Sequence, residues 1–215
     1  MRSSIYILLI SLTLFLLSCE RKQLRVLYTE IEILSGKVYY KGDLFTGIIY
    51  NFFDNTRIVS SERVYKDGVE NGVRKVWYKN GQIGDEISVV DGKFNGIQRE
   101  WYTTGQLKTE SFNLDGDKDG IYKSWFLNGG LKYKIGYKMD VRDGKLKRWT
   151  DSGLLIMDRN YVDGEYHGLQ KEWYENGILH LEENYKNGEK HGVQKVYYTD
   201  GLLKIELYYE NGVLK

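Results

Sequence analysis

From residue 72 onward, short runs rich in Val, Ile, Leu, Tyr and Trp alternate with pairs of residues centred on glycine, and the whole pattern recurs every 24 residues. One unit reads approximately G-[VI]-x-K-x-W-Y-x-N-G-x-L-x-x-E-x-x-Y-x-D-G-x-x-x. Tryptophan marks the period: Trp77, Trp101, Trp125, Trp149 and Trp173 stand 24 residues apart, and the next step lands on Tyr197. One glycine series runs through Gly72, Gly96, Gly120, Gly144, Gly168 and Gly192, and a second from Gly81 to Gly201. A third, from Gly68 to Gly212, is interrupted once, at Asp140. Residues 72–215 are thus six units of 24 residues. Residues 36–71 hold a worn half-repeat and a degenerate unit with Gly47, Phe52 and one inserted residue, read as degenerate or capping repeats. A period of this size signals stacked supersecondary units, each unable to bury its apolar face alone.

Taking two turns out of each unit leaves seven or eight residues per run, too short and too glycine-punctuated for stable helices. Antiparallel strands suit them, and the absence of Pro fits uninterrupted ladders. Asn80-Gly81 and Asn176-Gly177 read as two-residue hairpin tips with positive φ at both centres. That register sets Lys75 opposite Glu86, Arg99 opposite Glu110, Lys147 opposite Asp158, Lys171 opposite Glu182 and Lys195 opposite Glu206. Only Lys123 and Lys134 meet as like charges. Taken as an isolated pair, Lys171 and Glu182 should be exchangeable at little loss. The same register sets Tyr78 against Ile83 and Tyr174 against Leu179. It also puts Tyr161, Tyr185 and Tyr209 opposite Gly144, Gly168 and Gly192, where a ring can cover bare backbone. A transmembrane barrel needs strands of about 9–11 residues and an uninterrupted apolar band, whereas here the Trp-bearing face also carries the Lys and Glu columns. The expected fold is all-β: an elongated, open antiparallel meander of tandem 24-residue hairpins, growing by about 9.6 Å per unit from two strand spacings.

The N-terminus changes the picture. One Arg, an apolar run from Ile5 to Leu17 and a small residue precede Cys19, the only cysteine. Thirteen residues fall short of the roughly 20 that span a bilayer, so residues 1–18 read as a signal peptide. Leu16 to Cys19, "LLSC", resembles the lipobox of bacterial lipoproteins, which implies cleavage before Cys19, a diacylglycerol on its thiol and an acylated amine. More than one acyl chain gives stable membrane anchoring. Residues 19–35 then form the lipidated N-terminus and a linker. The expected location is the bacterial cell envelope, at the outer membrane if the cell is Gram-negative. Basic and acidic residues balance, 31 against 30, which argues against a nucleic-acid partner.

W-Y-x-N-G-x-L-x-x-E followed by Y-x-N-G-x-x-x-G resembles the MORN-repeat variant of bacterial proteins of the YwqK antitoxin type, over about residues 36–215. The resemblance implies an all-β hairpin array used as a binding or scaffold surface, with no catalytic residue to carry over. It also implies an antitoxin or immunity role, from which the lipoprotein signal departs.

Candidate chemistry is sparse. His167 and His191 share a column one unit apart, but about 9.6 Å is too far for ligands of one zinc; these and His180 read as solvated turn residues. Glu86, Glu110, Asp158, Glu182 and Glu206 each have a basic partner, which leaves none for acid-base work. No cofactor or metal is expected, and no enzymatic activity. The column Trp77, Trp101, Trp125, Trp149, Trp173 and Tyr197 is the candidate binding surface, although packing against neighbouring strands is the simpler role for such rings. The expected function is that of a lipid-anchored, non-catalytic repeat protein presenting a sheet surface to a protein partner. Immunity against a toxin is one alternative, and an envelope glycan-binding protein or enzyme another.

Overall fold

A computed structural model describes residues 23–215; the signal segment 1–18 and Cys19 lie outside the described residues. The strand Gly72–Trp77 pairs with Ile83–Val90, which pairs with Lys93–Trp101, and so on through Leu107–Leu114, Gly120–Trp125 and Leu131–Lys138 to Leu203–Glu210. Every step is antiparallel between sequence neighbours, giving one long open sheet of consecutive hairpins. The expected register holds in all six units, including Lys75 opposite Glu86, Lys171 opposite Glu182 and the like pair Lys123 and Lys134.

The hairpin tips differ from expectation, with a physical reason. Asn80 and Asn176 are absent from the residues with positive φ, whereas Gly81 and Gly177 take φ of 84° and 83°. Gly81 N donates to Tyr78 O (2.9 Å) and Tyr78 N to Gln82 O (2.8 Å). The loop therefore holds three residues, a turn closed by one left-handed glycine. Near this tip Trp77 pairs with Ile83, and a bulge between Val76 and Trp77 absorbs the extra residue, so that Lys75 still meets Glu86. Tyr78 thus faces Gln82 rather than Ile83, and Leu179 pairs with Trp173 rather than Tyr174. Asn occupies the turn for its side chain. Asn176 Oδ1 accepts from Ile178 N (3.0 Å), and its Nδ2 donates to Thr199 O in the next unit (3.1 Å). The two-residue tips with positive φ at both centres exist at the opposite end of each unit, as at Asp91-Gly92 (48° and 78°) and Asn187-Gly188 (52° and 79°).

Each unit also contains a strand break. Phe94 pairs with Val89 and Gln98 with Ile87, so Asn95, Gly96 and Ile97 together oppose Ser88. Gly96 takes φ of 109°, and its equivalents all have positive φ. Such an excess bends the strand, and burial follows the bend. On one face Ile87 and Val89, on either side of the break, are 8% and 2% exposed. On the other, Val73 and Val90 are 39% and 44% exposed. The break frees backbone groups on the buried face, and a glutamine captures them. Gln170, fully buried, donates through Nε2 to Asn160, His167 and Gly168 carbonyls (3.1 Å each) and accepts from Asn160 N (2.8 Å). Tyr161, Tyr185 and Tyr209 do lie opposite their glycines, but a Cβ added at Gly144 or Gly168 would meet nothing within 4 Å. The rings do not fill the space above Gly144 and Gly168; Tyr161 and Tyr185 instead pack on Tyr166, at 5.0 and 5.1 Å.

The N-terminal end is closed by a cap. Arg25–Leu27 runs parallel to Gly47–Phe52, the one departure from antiparallel pairing among the described residues. Glu32–Leu34, Lys37–Tyr40 and Asp43–Leu44 form a small separate sheet. Val26, Val38, Phe45 and Ile49 make the core of the cap, so residues 25–34, assigned from sequence to the linker, are structured here. The inserted residue of the degenerate unit sits in the loop between Phe53 and Ile58, one residue longer than its counterparts.

Two substitutions separate these roles. Gly177→Val has room for its side chain, so its expected loss of about 1–2 kcal/mol or more is backbone strain alone. Gln170→Leu should lose about 2–3 kcal/mol by leaving buried backbone groups unpaired. Urea denaturation of each variant measures both.

Candidate functional site

On the outer face of the bend three columns run across the strands. The central one is a continuous row of charge: Glu62, Lys75, Glu86, Arg99, Glu110 and Lys123 occupy directly opposed positions on successive strands. After Lys134 and Lys147 the row resumes alternation through Asp158, Lys171, Glu182, Lys195 and Glu206. Ion pairs form along it: Arg99 Nε to Glu110 at 2.9 Å, Lys147 to Asp158 at 3.1 Å and Lys171 to Glu182 at 2.9 Å. Glu206, hydrogen-bonded to Lys195 and 3.3 Å away, raises that ammonium's pKa above its ordinary value. Because each member between Glu62 and Glu206 has two neighbours in the row, the hairpin pairs read from sequence are segments of one ladder.

The second column holds the predicted aromatic residues. Trp77, Trp101, Trp125, Trp149, Trp173 and Tyr197 are all half-buried, each opposite a branched aliphatic residue such as Ile83, Leu107 or Leu179. The rings alternate with aliphatic side chains, forming a stripe beside the charge row. The following tyrosines stitch the units together: the hydroxyls of Tyr78, Tyr102 and Tyr174 donate to the carbonyls of Trp101, Trp125 and Tyr197 at 2.8–2.9 Å. Phe126 and Thr150 occupy the same position without reaching such a bond in the described residues.

The third column was missed in the sequence. Val73, Ile97, Ile121 and Leu169 flank the charge row on its other side, each 37–46% exposed, and Phe112 nearby is 44% exposed. The signal was present, a branched residue immediately after every glycine of the series except Gly144, which Lys145 follows, but the strand break that turns it outward was not legible.

The histidines serve the frame. His167 N and His191 N donate to Asn160 O and Asn184 O at the break (3.1 and 2.8 Å). His191 Nδ1 accepts from Asn211 N at 3.5 Å, as Asn71 Nδ2 donates to Asp91 Oδ1 at 2.9 Å, so this column braces adjacent tips. His180 packs on Tyr174, with ring centroids 4.4 Å apart.

Four segments match the MORN repeat variant, residues 94–112, 118–139, 166–187 and 190–211. They carry the hairpins of Trp101, Trp125, Trp173 and Tyr197, which are similar to MORN repeats of that type. The hairpins of Trp77 and Trp149 fall outside the matches. A search of the curated proteins found no match.

The ladder overturns the expectation for exchanging Lys171 and Glu182. Glu182→Lys alone sets three lysines in a row. The double exchange, Lys171→Glu with Glu182→Lys, sets a carboxylate beside Asp158 and an ammonium beside Lys195. Both should lose about 0.5–1 kcal/mol, less at high salt. Urea midpoints at two ionic strengths measure this, and a neutral double exchange would show that the row does not act as a unit.

Proposed function

We propose that this chain is a lipid-anchored, non-catalytic repeat protein that presents the outer face of its sheet to a protein partner at the bacterial envelope. The observation that carries this reading is the triple column: a paired charge row between an exposed aliphatic column and a half-buried Trp stripe. Apolar side chains supply the area that drives association, and the charges fix register and reject mismatched partners. A rigid array with its own backbone paired offers this surface pre-formed, so little ordering is needed on binding. Anchoring through Cys19 rests on its place in "LLSC" and on its being the sole cysteine. The narrower reading, immunity against a toxin, requires in addition that the partner be toxic when expressed without this chain.

Cys19→Ser should release the protein from membranes into the soluble fraction, as read by detergent-phase partitioning; unchanged partitioning rejects the anchor. The binding face has a separate test. With the native protein cross-linked in its own membrane, Ile97→Asp together with Ile121→Asp should abolish recovery of the co-purifying chain while leaving the fold's circular dichroism unchanged. Persistence of the complex in that variant rejects the outer face.

A further inference from the structure

The outer face holds a hollow of about 340 Å³ lined by Lys145, Leu155, Asp158, Leu169, Lys171 and Trp173, together with Asn160. One unit earlier a similar hollow of about 310 Å³ is lined by Leu131, Lys134, Lys145, Lys147 and Trp149. Leu131, Lys147 and Trp149 stand 24 residues before Leu155, Lys171 and Trp173, so two units build the same frame. Lys145 lines both hollows, and at two of the equivalent positions the residues differ. Where the later hollow has Asp158, the earlier has Lys134; where the later has Leu169, the earlier has Lys145. Both changes break the repeat, since the first column is otherwise acidic in these six units and the second otherwise aliphatic. Both introduce lysine, and both face the same space.

The result is three ammonium groups around one hollow with no carboxylate in its lining. Among the described residues neither Lys134 nor Lys145 makes an ion pair, while Lys147 pairs with Asp158 and Lys123, next to Lys134 in the row, with Glu110 at 3.6 Å. On the buried face the cations of the same hairpin are held over rings, Lys132 by Phe126 and Arg148 by Tyr133. The outer lysines have no such engagement. The segment between Leu131 and Trp149 holds seven basic side chains and two acidic ones, Asp140 and Asp143, in a chain whose total charge is +1. Like charges directly opposed weaken a ladder, so this arrangement opposes folding and invites an anion.

We infer that this hollow is a binding site for a phosphorylated monosaccharide. Lys134, Lys145 and Lys147 would hold the phosphate, and Trp149 and Leu131 the apolar face of the sugar ring. A phosphate monoester carries about 1.5–2 negative charges at neutral pH, and ammonium groups bind it as point charges. The volume lies at the bottom of the range for small-molecule sites, about 300–1,000 Å³, which suits one ring. Lys134, Lys147 and Trp149 belong to the face proposed above for a protein partner, but the inference rests on the hollow alone and its test needs no partner.

Calorimetric titration of the intact protein with glucose 6-phosphate, glucose and inorganic phosphate tests it. Saturable binding of glucose 6-phosphate is expected, tighter than inorganic phosphate, with glucose not binding and the Trp149 indole N–H signal shifting in NMR. Lys134→Glu and Lys145→Leu, which restore the repeat, should each weaken binding by about ten-fold or more. Lys134→Glu should at the same time raise the melting temperature, which separates lost binding from lost folding. Unchanged affinity in both variants overturns the inference. So does equal affinity for glucose 6-phosphate and inorganic phosphate, a shift at Trp173 in place of Trp149, or binding to anionic phospholipid vesicles without binding of glucose 6-phosphate.

Discussion

A single sheet has two wet faces unless it bends, and the left-handed glycine at each strand break is what bends this one. The break recurs at the same place in every unit, so the bends align across the strands and one face turns inward along the array. Val89, Ile87, Ile135, Leu146 and Tyr161 are buried there although no second layer covers them in the described residues. Glycine alone takes φ near 109° without strain. The remaining features of the buried face follow from the exposed backbone that a break creates. Gln170 and Gln194, 0% and 3% exposed, spend their amides on carbonyls at the break instead of on each other. Where the column holds Leu146, the apolar cluster with Ile135 and Tyr161 stabilises the unit by burial instead.

The charge row acts on a different scale. A partly exposed pair contributes a few tenths of a kcal/mol, so the ladder's value lies in register. A slip by one residue sends every side chain to the opposite face. It would carry Lys and Glu into the bend and Val89 into water, and the penalty would recur in each unit. Because repeats are chemically alike, slipping by a whole unit is the error the row cannot prevent; the cap does. Phe45 and Val38 fill the N-terminal end of the bend, and Gly68 N bonds to Phe45 O in place of the short strand that precedes later tips. Only one end of the array fits that cap.

Much of this was legible before any coordinates. The period, the strand pairs and the five opposed charges follow from spacing, because a side-chain column in a meander must repeat with its unit. The tips were misplaced for an instructive reason. A two-residue loop, and a three-residue loop followed by a bulge, give the same register four residues away, so charge pairing cannot tell them apart. Asn-Gly suggested the first; the structure uses Asn for its side chain and Gly for its φ. The outward aliphatic column stayed hidden because a branched residue beside glycine looks like core until the break is seen. Residues 25–34 looked like linker because they lie outside the period, which is the only signal the rest of the chain offers.

Repetition also supplies an internal standard against which departures gain meaning. At Thr150 the inter-unit hydroxyl bond is absent among the described residues, and Thr150 Oγ1 instead accepts from Leu154 N at 3.0 Å, a local substitute that keeps the tip closed. At Met139-Asp140 the glycine is missing, yet Asp140 N still donates to Lys118 O at 2.9 Å and Asp140 Oδ1 accepts from Lys118 N at 2.8 Å. Both departures are compensated within hydrogen-bonding distance, as expected of drift under selection for folding. Lys134 and Lys145 have no such compensation among the described residues. Lys134 sets like charges together on a ladder that elsewhere alternates, Lys145 adds a third ammonium beside them, and a change that opposes folding without local relief persists where something outside the fold favours it.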